Sequence, residues 1–212
     1  MNHSNLTAQA GKNRLSADNA ALLLVDHQTG LMQLVRDYNT DEYKNNVLAL
    51  ADVGKLFKLP TILSTSFEQG PNGPILPEIK ALFPAAPFIP RPGQINAWDN
   101  EDFVKAVKAT GRKKLLIAGI VTDVCVAFPT LSALSEGFEV YVVADASGTF
   151  SHSVRDAALI RMANAGAVIT TWFAVACELQ RDWRNDAEGL AKLFAKHIVP
   201  YESLMTSYNN KT

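Results

Sequence analysis

Residues 115–125 read Leu115-Leu116-Ile117-Ala118-Gly119-Ile120-Val121-Thr122-Asp123-Val124-Cys125. A short, continuous apolar run of this kind is typical of a parallel strand that is buried on both faces. Cys125 stands where this strand meets the start of a predicted helix. The N–H groups and positive dipole end of a helix start favour a thiolate, and such thiols have a pKa of about 3.5–7.5 instead of about 8.5. Free cysteine is also a common buried residue, so Cys125 could be either a nucleophile or a core side chain.

The rest of the chain repeats this strand pattern. The quoted run predicts a strand over residues 114–118, and further apolar runs cover residues 21–25, 61–64, 87–89, 139–143 and 167–171. Amphipathic stretches of helical period separate the runs, as in a parallel sheet with crossover helices. We predict an α/β fold: a doubly wound, Rossmann-like three-layer sandwich with a six-stranded parallel sheet in the order 3-2-1-4-5-6. Each strand is expected to be buried on both faces.

Capping residues predict where several helices begin. Asp99 is the expected N-cap of the helix between the third and fourth strands. Ser151 or Ser153 is expected to cap the helix after the fifth strand. Pro129 falls early in the helix that follows Cys125, where a missing N–H costs little only within the first turn.

Composition limits the classes of function. The chain has 212 residues, 48% of them hydrophobic and 19% charged, with a net charge of −1. We expect one domain over residues 1–212, with a core over about 15–198 and a tail, 199–212, that contacts another subunit. Scattered charges of both signs disfavour nucleic acid and anionic membrane as partners. A polar N-terminal stretch and the lack of a long apolar run predict a cytoplasmic protein.

The two cysteines, Cys125 and Cys177, lie far apart in the sequence. They form no Cys-x-x-Cys or Cys/His ligand spacing, so neither a disulfide framework nor a zinc site is predicted. Cys177 lies in an apolar stretch of helical character and is expected to be a core residue.

An acid, a cation and a thiol are predicted to meet at one edge of the sheet. Asp26 follows the first strand, Arg91 the third and Cys125 the fourth. In a doubly wound sheet the ligand crevice lies outside the carboxyl ends of the strands, where the strand order reverses, and strands 1 and 4 are neighbours there. Taken singly, Asp26 could bond its own turn and Arg91 could be a surface residue. Their conjunction with Cys125 favours a catalytic site.

These residues belong to longer stretches that resemble the isochorismatase-like cysteine hydrolases over about residues 15–208. The stretches are Leu23-Leu24-Val25-Asp26-His27-Gln28, Gly70-Pro71-Asn72-Gly73-Pro74, Arg91-Pro92-Gly93, Ile95-Asn96-Ala97-Trp98-Asp99-Asn100-Glu101-Asp102-Phe103, Val124-Cys125-Val126-Ala127-Phe128-Pro129 and Trp172-Phe173.

The resemblance implies a catalytic acid, nucleophile and cation. The family's acid matches Asp26 and its nucleophile matches Cys125, whereas its usual lysine is replaced by Arg91. It also implies a cis peptide before the nucleophile helix, expected at Val121-Thr122. A homo-oligomer, an octamer, is implied as well. Residues 64–73 lack the Asp and paired His ligands of nicotinamidase-type relatives, so we predict no metal and no cofactor.

This site predicts a thioester mechanism on a small amide or carbamoyl substrate. Cys125 would attack the carbonyl carbon, with backbone N–H groups near Thr122 and Cys125 holding the oxyanion. Asp26 would move protons, which at ordinary pKa values costs about 6 kcal/mol for transfer from the thiol. Burial of Asp26 should raise its pKa, and Arg91 and the helix should lower that of Cys125. Arg91 could instead clamp a substrate carboxylate.

Several other side chains are candidates for the substrate pocket. They are Gln28, Phe67, Asn96, Trp98 and Trp172. Trp98 could equally staple the following helix by packing on Phe103. His27 is an alternative base that ranks below Asp26, because neighbours along a strand point to opposite faces.

Three classes of function stay open. A cysteine hydrolase is the first. A dinucleotide-binding protein is disfavoured, because Asp26-His27-Gln28 stands where a glycine-rich phosphate turn is needed. A non-catalytic binding or assembly protein on the same fold is the third.

Overall fold

Six parallel strands form one sheet in the order β3-β2-β1-β4-β5-β6, which confirms the predicted fold. A computed structural model describes residues 14–210, so the first 13 residues of the polar N-terminal stretch and residues 211–212 lie outside it. The strands are β1 (Ala20–Val25), β2 (Thr61–Ser66), β3 (Phe88–Arg91), β4 (Lys114–Gly119), β5 (Glu139–Val143) and β6 (Val168–Thr170).

Helices cover both faces of the sheet. They are α1 (Thr40–Leu56), α2 (Pro77–Leu82), α3 (Glu101–Ala109), α4 (Ala127–Ser135), α5 (His152–Asn164), α6 (Trp172–Gln180), α7 (Ala187–His197) and α8 (Val199–Asn209). Side chains alternate across β1: Leu22 and Leu24 pack in one core cluster with α1, α6 and α7, and Leu23 packs in a second with α3, α4 and α5. Within residues 14–210, none of the helices is long and apolar enough to cross a bilayer.

The strand register brings three chain segments to one edge. Val25, the last residue of β1, is opposite Ser64 in β2 and Gly119 in β4. Since parallel strands end at the same side of the sheet, the segments after β1, β3 and β4 all open there. The prediction that strands 1 and 4 flank the switch point is confirmed.

The edge strands differ from the expectation of burial on both faces. In β6, Val168 is 44% exposed and Ile169 is 37% exposed, and in β3 only Arg91 is buried. Both strands lie at the ends of the sheet, where the covering helices reach only part of each face. The central strands β1 and β4 are buried throughout, as predicted.

Helix starts are partly as predicted. Ser151 caps α5, and Pro129 lies in the first turn of α4. The prediction of Asp99 as N-cap of α3 is wrong, because Asn100 accepts the Phe103 N–H there. Asp99 instead ends a 3₁₀ turn over Ala97–Asp99.

We predict that Gly119→Ala disrupts the contact between β1 and β4. A Cβ atom at Gly119 would lie 2.2 Å from the Val25 carbonyl oxygen, so a backbone must move. We expect a loss of about 1–3 kcal/mol in the free energy of unfolding, measured by urea denaturation. Gly93→Ala is the matched control, since nothing lies within 4 Å of its added Cβ. Equal stability of the two variants would contradict the prediction.

Candidate active site

A buried ion pair joins the end of β3 to the end of β1. Arg91 Nη1 donates to Asp26 Oδ1 at 2.9 Å, and Nη2 donates to Oδ2 at 2.8 Å. Both side chains are 0% exposed. Nη1 also donates to Ser64 Oγ at 2.7 Å, and Nε donates to the Gln94 carbonyl oxygen at 3.2 Å. The guanidinium is therefore turned to Asp26, which favours charge stabilisation over capture of a substrate carboxylate.

Asp26 reaches this position through an unusual backbone conformation. Its φ of 59° lies in the left-handed region, which aspartate tolerates better than most residues. Its N–H donates to the Ser64 carbonyl at 2.8 Å, and its own carbonyl accepts the Gln28 N–H at 2.7 Å. Because both carboxylate oxygens bind Arg91, the alternative that Asp26 merely bonds its own turn does not describe this site.

Cys125 lies beside Asp26, in a π-helical turn over Thr122–Val126 that follows β4. The residue is partly exposed, and its thiol is close enough to the Asp26 carboxylate and to the Val121 N–H for both to shift its pKa. Arg91, Asp26 and Cys125 thus meet as predicted. Their order along the edge follows the sheet, with Arg91 reaching across β2 to Asp26.

The prediction that the Cys125 thiol has a lowered pKa is wrong. Burial raises the pKa of Cys125 above its ordinary value, the Asp26 charge raises it further, and Arg91 and the Val121 N–H only partly oppose this. The reason is geometric: Cys125 lies inside a π-helical turn instead of at an open helix start, and the nearest charge is a carboxylate. Burial also raises the pKa of Asp26, as predicted, although Arg91 opposes that shift. The raised pKa of Cys125 therefore favours the neutral thiol.

The backbone before this turn differs from the expected arrangement. The cis peptide joins Ile120 to Val121, one bond earlier than the predicted Val121-Thr122. The chain leaves the sheet there, because the Ile120 N–H is still bonded to Val25 while the Thr122 N–H already donates to the Gly148 carbonyl at 3.0 Å. The Thr122 N–H is thus already hydrogen-bonded within the protein. The Val121 N–H is instead close enough to the Cys125 sulfur to lower the pKa of the thiol.

The two tryptophans proposed for the pocket are core residues. Trp98 is 9% exposed, packs edge-on against Phe103 at 6.1 Å between ring centroids and donates from Nε1 to Glu136. Trp98 therefore packs against Phe103, as the alternative interpretation predicted. Because Asn100 and not Asp99 is the N-cap, Phe103 is the third residue of the helix. Trp172 is 5% exposed, and its Nε1 donates to Asn46 Oδ1 in α1. Trp172 is held by α1, and the cleft that Trp98 lines is formed with α3 and Glu136 and includes none of Asp26, Arg91 and Cys125.

The other pocket candidates have different surroundings. Gln28 is fully buried, and its amide binds the backbone of Ser66 and Gly73, so it ties a loop to β2. Asn96 caps the 3₁₀ turn before α3. Phe67 is 51% exposed, and its N–H donates to the Arg91 carbonyl at 2.9 Å. Phe67 is therefore joined to the end of β3 through its backbone, and its role as a pocket wall stays a prediction.

Sequence reasoning missed Ser64. Its hydroxyl accepts a hydrogen bond from Arg91 Nη1 and donates to the Ile89 carbonyl at 2.9 Å, so it connects the ion pair to β3. The available signal was a polar residue in a predicted strand, level with the residue before Asp26.

Among residues 14–210 no group of three or more His, Cys, Asp or Glu side chains could hold a metal ion.

His27 lies on the other side of β1 from this site. Its Nε2–H donates to the Ala146 carbonyl at 3.0 Å, and burial lowers its pKa to about 4. The imidazole is therefore neutral at pH 7. Its position away from the Asp26 carboxylate supports the lower rank given to it as a base.

We predict that Arg91→Ala destabilises the protein by about 3–5 kcal/mol, because it leaves the Asp26 charge buried without a partner. The double variant Asp26→Asn, Arg91→Met removes both charges at similar volume and should recover most of that loss. Urea unfolding at one protein concentration measures both variants. A loss under about 1 kcal/mol for Arg91→Ala would show that the pair is not important for stability.

We predict that His27 makes the fold sensitive to acid. Its folded pKa of about 4 is below the unfolded value of 6.5, so the unfolded state binds more protons as the pH falls through 6.5. Between pH 7 and pH 5 this removes about 2 kcal/mol from the free energy of unfolding. His27→Gln keeps a donor for the Ala146 carbonyl. Between pH 7 and pH 5 its free energy of unfolding should fall by about 2 kcal/mol less than that of the native protein. Exposed His152→Gln is the control, and equal pH dependence in native protein and His27→Gln would refute the prediction.

Comparison with known proteins identifies the family of the chain. The isochorismatase domain model matches residues 20–173. The probable hydrolase YcaC of Escherichia coli (strain K12) is 66% identical over 199 residues, which cover 94% of this chain and 96% of that protein.

Solved structures are similar as well. YcaC from Pseudomonas aeruginosa, with hexane-2,5-diol and covalent acrylamide, has a TM-score of 0.92 and 65% identity, covering 93% of this chain and 98% of that one. The Escherichia coli YcaC structure, described as an octameric hydrolase of unknown specificity, has a TM-score of 0.94 and 66% identity, covering 94% and 98%. With this fold, this match and these relatives, the chain belongs to the isochorismatase family.

Proposed function

We propose that this isochorismatase-family hydrolase is a cysteine hydrolase that cleaves small amide or carbamoyl substrates through a thioester on Cys125. Asp26 acts as general acid and base, and Arg91 stabilises charge. The observation that carries the proposal is the carboxylate of Asp26, held by Arg91 and placed against the Cys125 thiol. The P. aeruginosa relative supports it, because it carries covalent acrylamide and cysteine thiols add readily to acrylamide.

The first half of the reaction forms the thioester. The Cys125 sulfur attacks the substrate carbonyl carbon while the thiol proton passes to the Asp26 carboxylate. Since the resting thiol is neutral, proton transfer accompanies attack instead of preceding it. We assign the oxyanion to the Val121 N–H, because this group is close enough to the sulfur to lower the pKa of Cys125. The intermediate collapses as protonated Asp26 gives its proton to the leaving nitrogen, and the C–N bond breaks.

The second half releases the acid. Water attacks the thioester carbon while Asp26 takes one of its protons. The C–S bond then breaks, Asp26 returns the proton to the sulfur, and the carboxylic or carbamic acid leaves. Arg91 keeps its own protons throughout, because arginine does not deprotonate in proteins, and it holds the Asp26 carboxylate in one orientation.

We also propose that the chain forms a homo-octamer, as its E. coli relative is described. The C-terminal helix α8 supports a subunit contact, because Leu204 is 57% exposed and Tyr208 is 64% exposed. The helix packs on α7, and residues 14–210 leave this apolar side exposed.

We predict that Cys125→Ala abolishes hydrolysis. The native protein, Cys125→Ala and the matched variant Cys177→Ala are incubated with a panel of small primary amides and carbamoyl compounds, and ammonia release is measured. We expect turnover in the native protein and Cys177→Ala, and a loss of at least about 10³-fold in Cys125→Ala. Intact-protein mass spectrometry should find the acyl group on Cys125. Acylation at Cys177, or turnover in Cys125→Ala, would contradict the mechanism.

We predict that Asp26→Asn makes the Cys125 thiol more acidic while it stops hydrolysis. The Asp26 charge raises the pKa of Cys125, so its removal lowers that pKa, and Arg91 without its partner lowers it further. The pH midpoint of iodoacetamide alkylation at Cys125 should therefore fall, with Cys177 as internal control and sedimentation as the check on assembly. A rise in the midpoint would mean that Asp26 supports the thiolate, contrary to the geometry.

A further inference from the structure

We infer that the substrate of this site is uncharged next to its scissile carbonyl, and that a carboxylate in that position is rejected. This inference rests on the proposed function, since it describes what the Cys125 nucleophile accepts. The expected substrates are small neutral amides and carbamoyl compounds. Amide and carbamoyl compounds that carry a carboxylate next to the scissile carbonyl are excluded.

The first argument is that the cation of the site is already used. Arg91 donates four hydrogen bonds to groups of the protein, two of them to the Asp26 carboxylate. The residue is only 1% exposed. A substrate carboxylate could bind Arg91 only by displacing Asp26 from this buried, bidentate ion pair. The proposed general base would then lose the guanidinium that holds it in position.

The second argument is the balance of charge around the sulfur. Asp26 and Arg91 cancel each other, and the thiol is neutral, so these groups present no net positive charge to an anion. The Thr122 N–H is bonded to the Gly148 carbonyl and the Val121 N–H is needed for the oxyanion, so neither of these two groups is available to a substrate carboxylate. The charge nearest along the same turn is Asp123, a partly exposed carboxylate that accepts the Thr149 hydroxyl at 2.8 Å.

The third argument concerns a cleft of about 460 Å³ between α5 and the two residues that precede Cys125, although Cys125 itself is not among the residues that line it. It is mainly apolar, with Val124, Phe128 and Val154 in its walls, and its charged members are Asp123 and Arg161. The Arg161 guanidinium stacks over the Phe128 ring, 5.7 Å from its centroid. This cleft therefore offers an anion one cation opposed by one carboxylate, while it offers a neutral group apolar contact.

Two alkylating reagents of nearly equal size test this inference directly. Iodoacetamide is neutral and iodoacetate is an anion, and both react with the same thiolate. The ratio of their rate constants at Cys125 is therefore independent of how much thiolate is present. Peptide mass spectrometry measures the ratio in the intact native protein, and the urea-unfolded protein gives the reference ratio for the same cysteine. Cys177 is followed in parallel.

We expect the iodoacetamide-to-iodoacetate ratio at Cys125 to be at least about tenfold higher in the folded protein than in the unfolded protein. Asp123→Asn should lower the folded ratio, and Arg161→Gln should leave it unchanged. An unchanged folded ratio with rapid iodoacetamide reaction would overturn the inference and leave the nucleophile in place. A higher ratio in Arg161→Gln than in the native protein would also overturn it, because Arg161 would then attract the anion. The proposed nucleophile itself fails if Cys125→Ala hydrolyses the amide panel as fast as the native protein.

Discussion

The buried pair between Asp26 and Arg91 is the interaction on which the site depends. Arg91 ends the edge strand β3, and its side chain passes over β2 to reach the residue after β1. Neighbouring strands are about 4.8 Å apart, so the side chain has to span two such intervals. Ser64 lies on the way and accepts a hydrogen bond from the same guanidinium. The ion pair thus fixes the carboxylate and ties three strands together at the edge where the chemistry is proposed.

This arrangement has a consequence for the thiol. A carboxylate beside a partly buried cysteine raises the pKa of the thiol, and the cation that could offset this is bonded mainly to the carboxylate. In the mechanism proposed above, Asp26 is therefore a base beside a neutral thiol, and the site does not rely on a preformed thiolate. Such a thiol is protected from indiscriminate reaction, and its nucleophilicity develops only when the proton can pass to Asp26 during attack.

The sequence-based view of the site was accurate for residues at the carboxyl ends of the strands, and weaker elsewhere. Asp26 directly follows β1, Arg91 ends β3 and Cys125 lies in the turn after β4, so the topology brings all three to one edge of the sheet. Trp98 and Trp172 occupy similar loop positions in the sequence but are turned into the helix layers, where Phe103 and Asn46 receive them. Burial of a long aromatic side chain depends on partners distant in the chain, so loop position alone did not predict it.

The sequence by itself determined the α/β class, the strand order and the three residues at the switch point, because apolar runs and helix periodicity are local signals and parallel connection rules leave few topologies. Only the tertiary structure decided how these residues act. The direction of the Arg91 fork, the bond between the Thr122 N–H and Gly148, and the raised pKa of Cys125 all depend on groups that meet across the sheet edge. Electrostatic effects of this kind are set by distance and burial in three dimensions, which residue order does not specify.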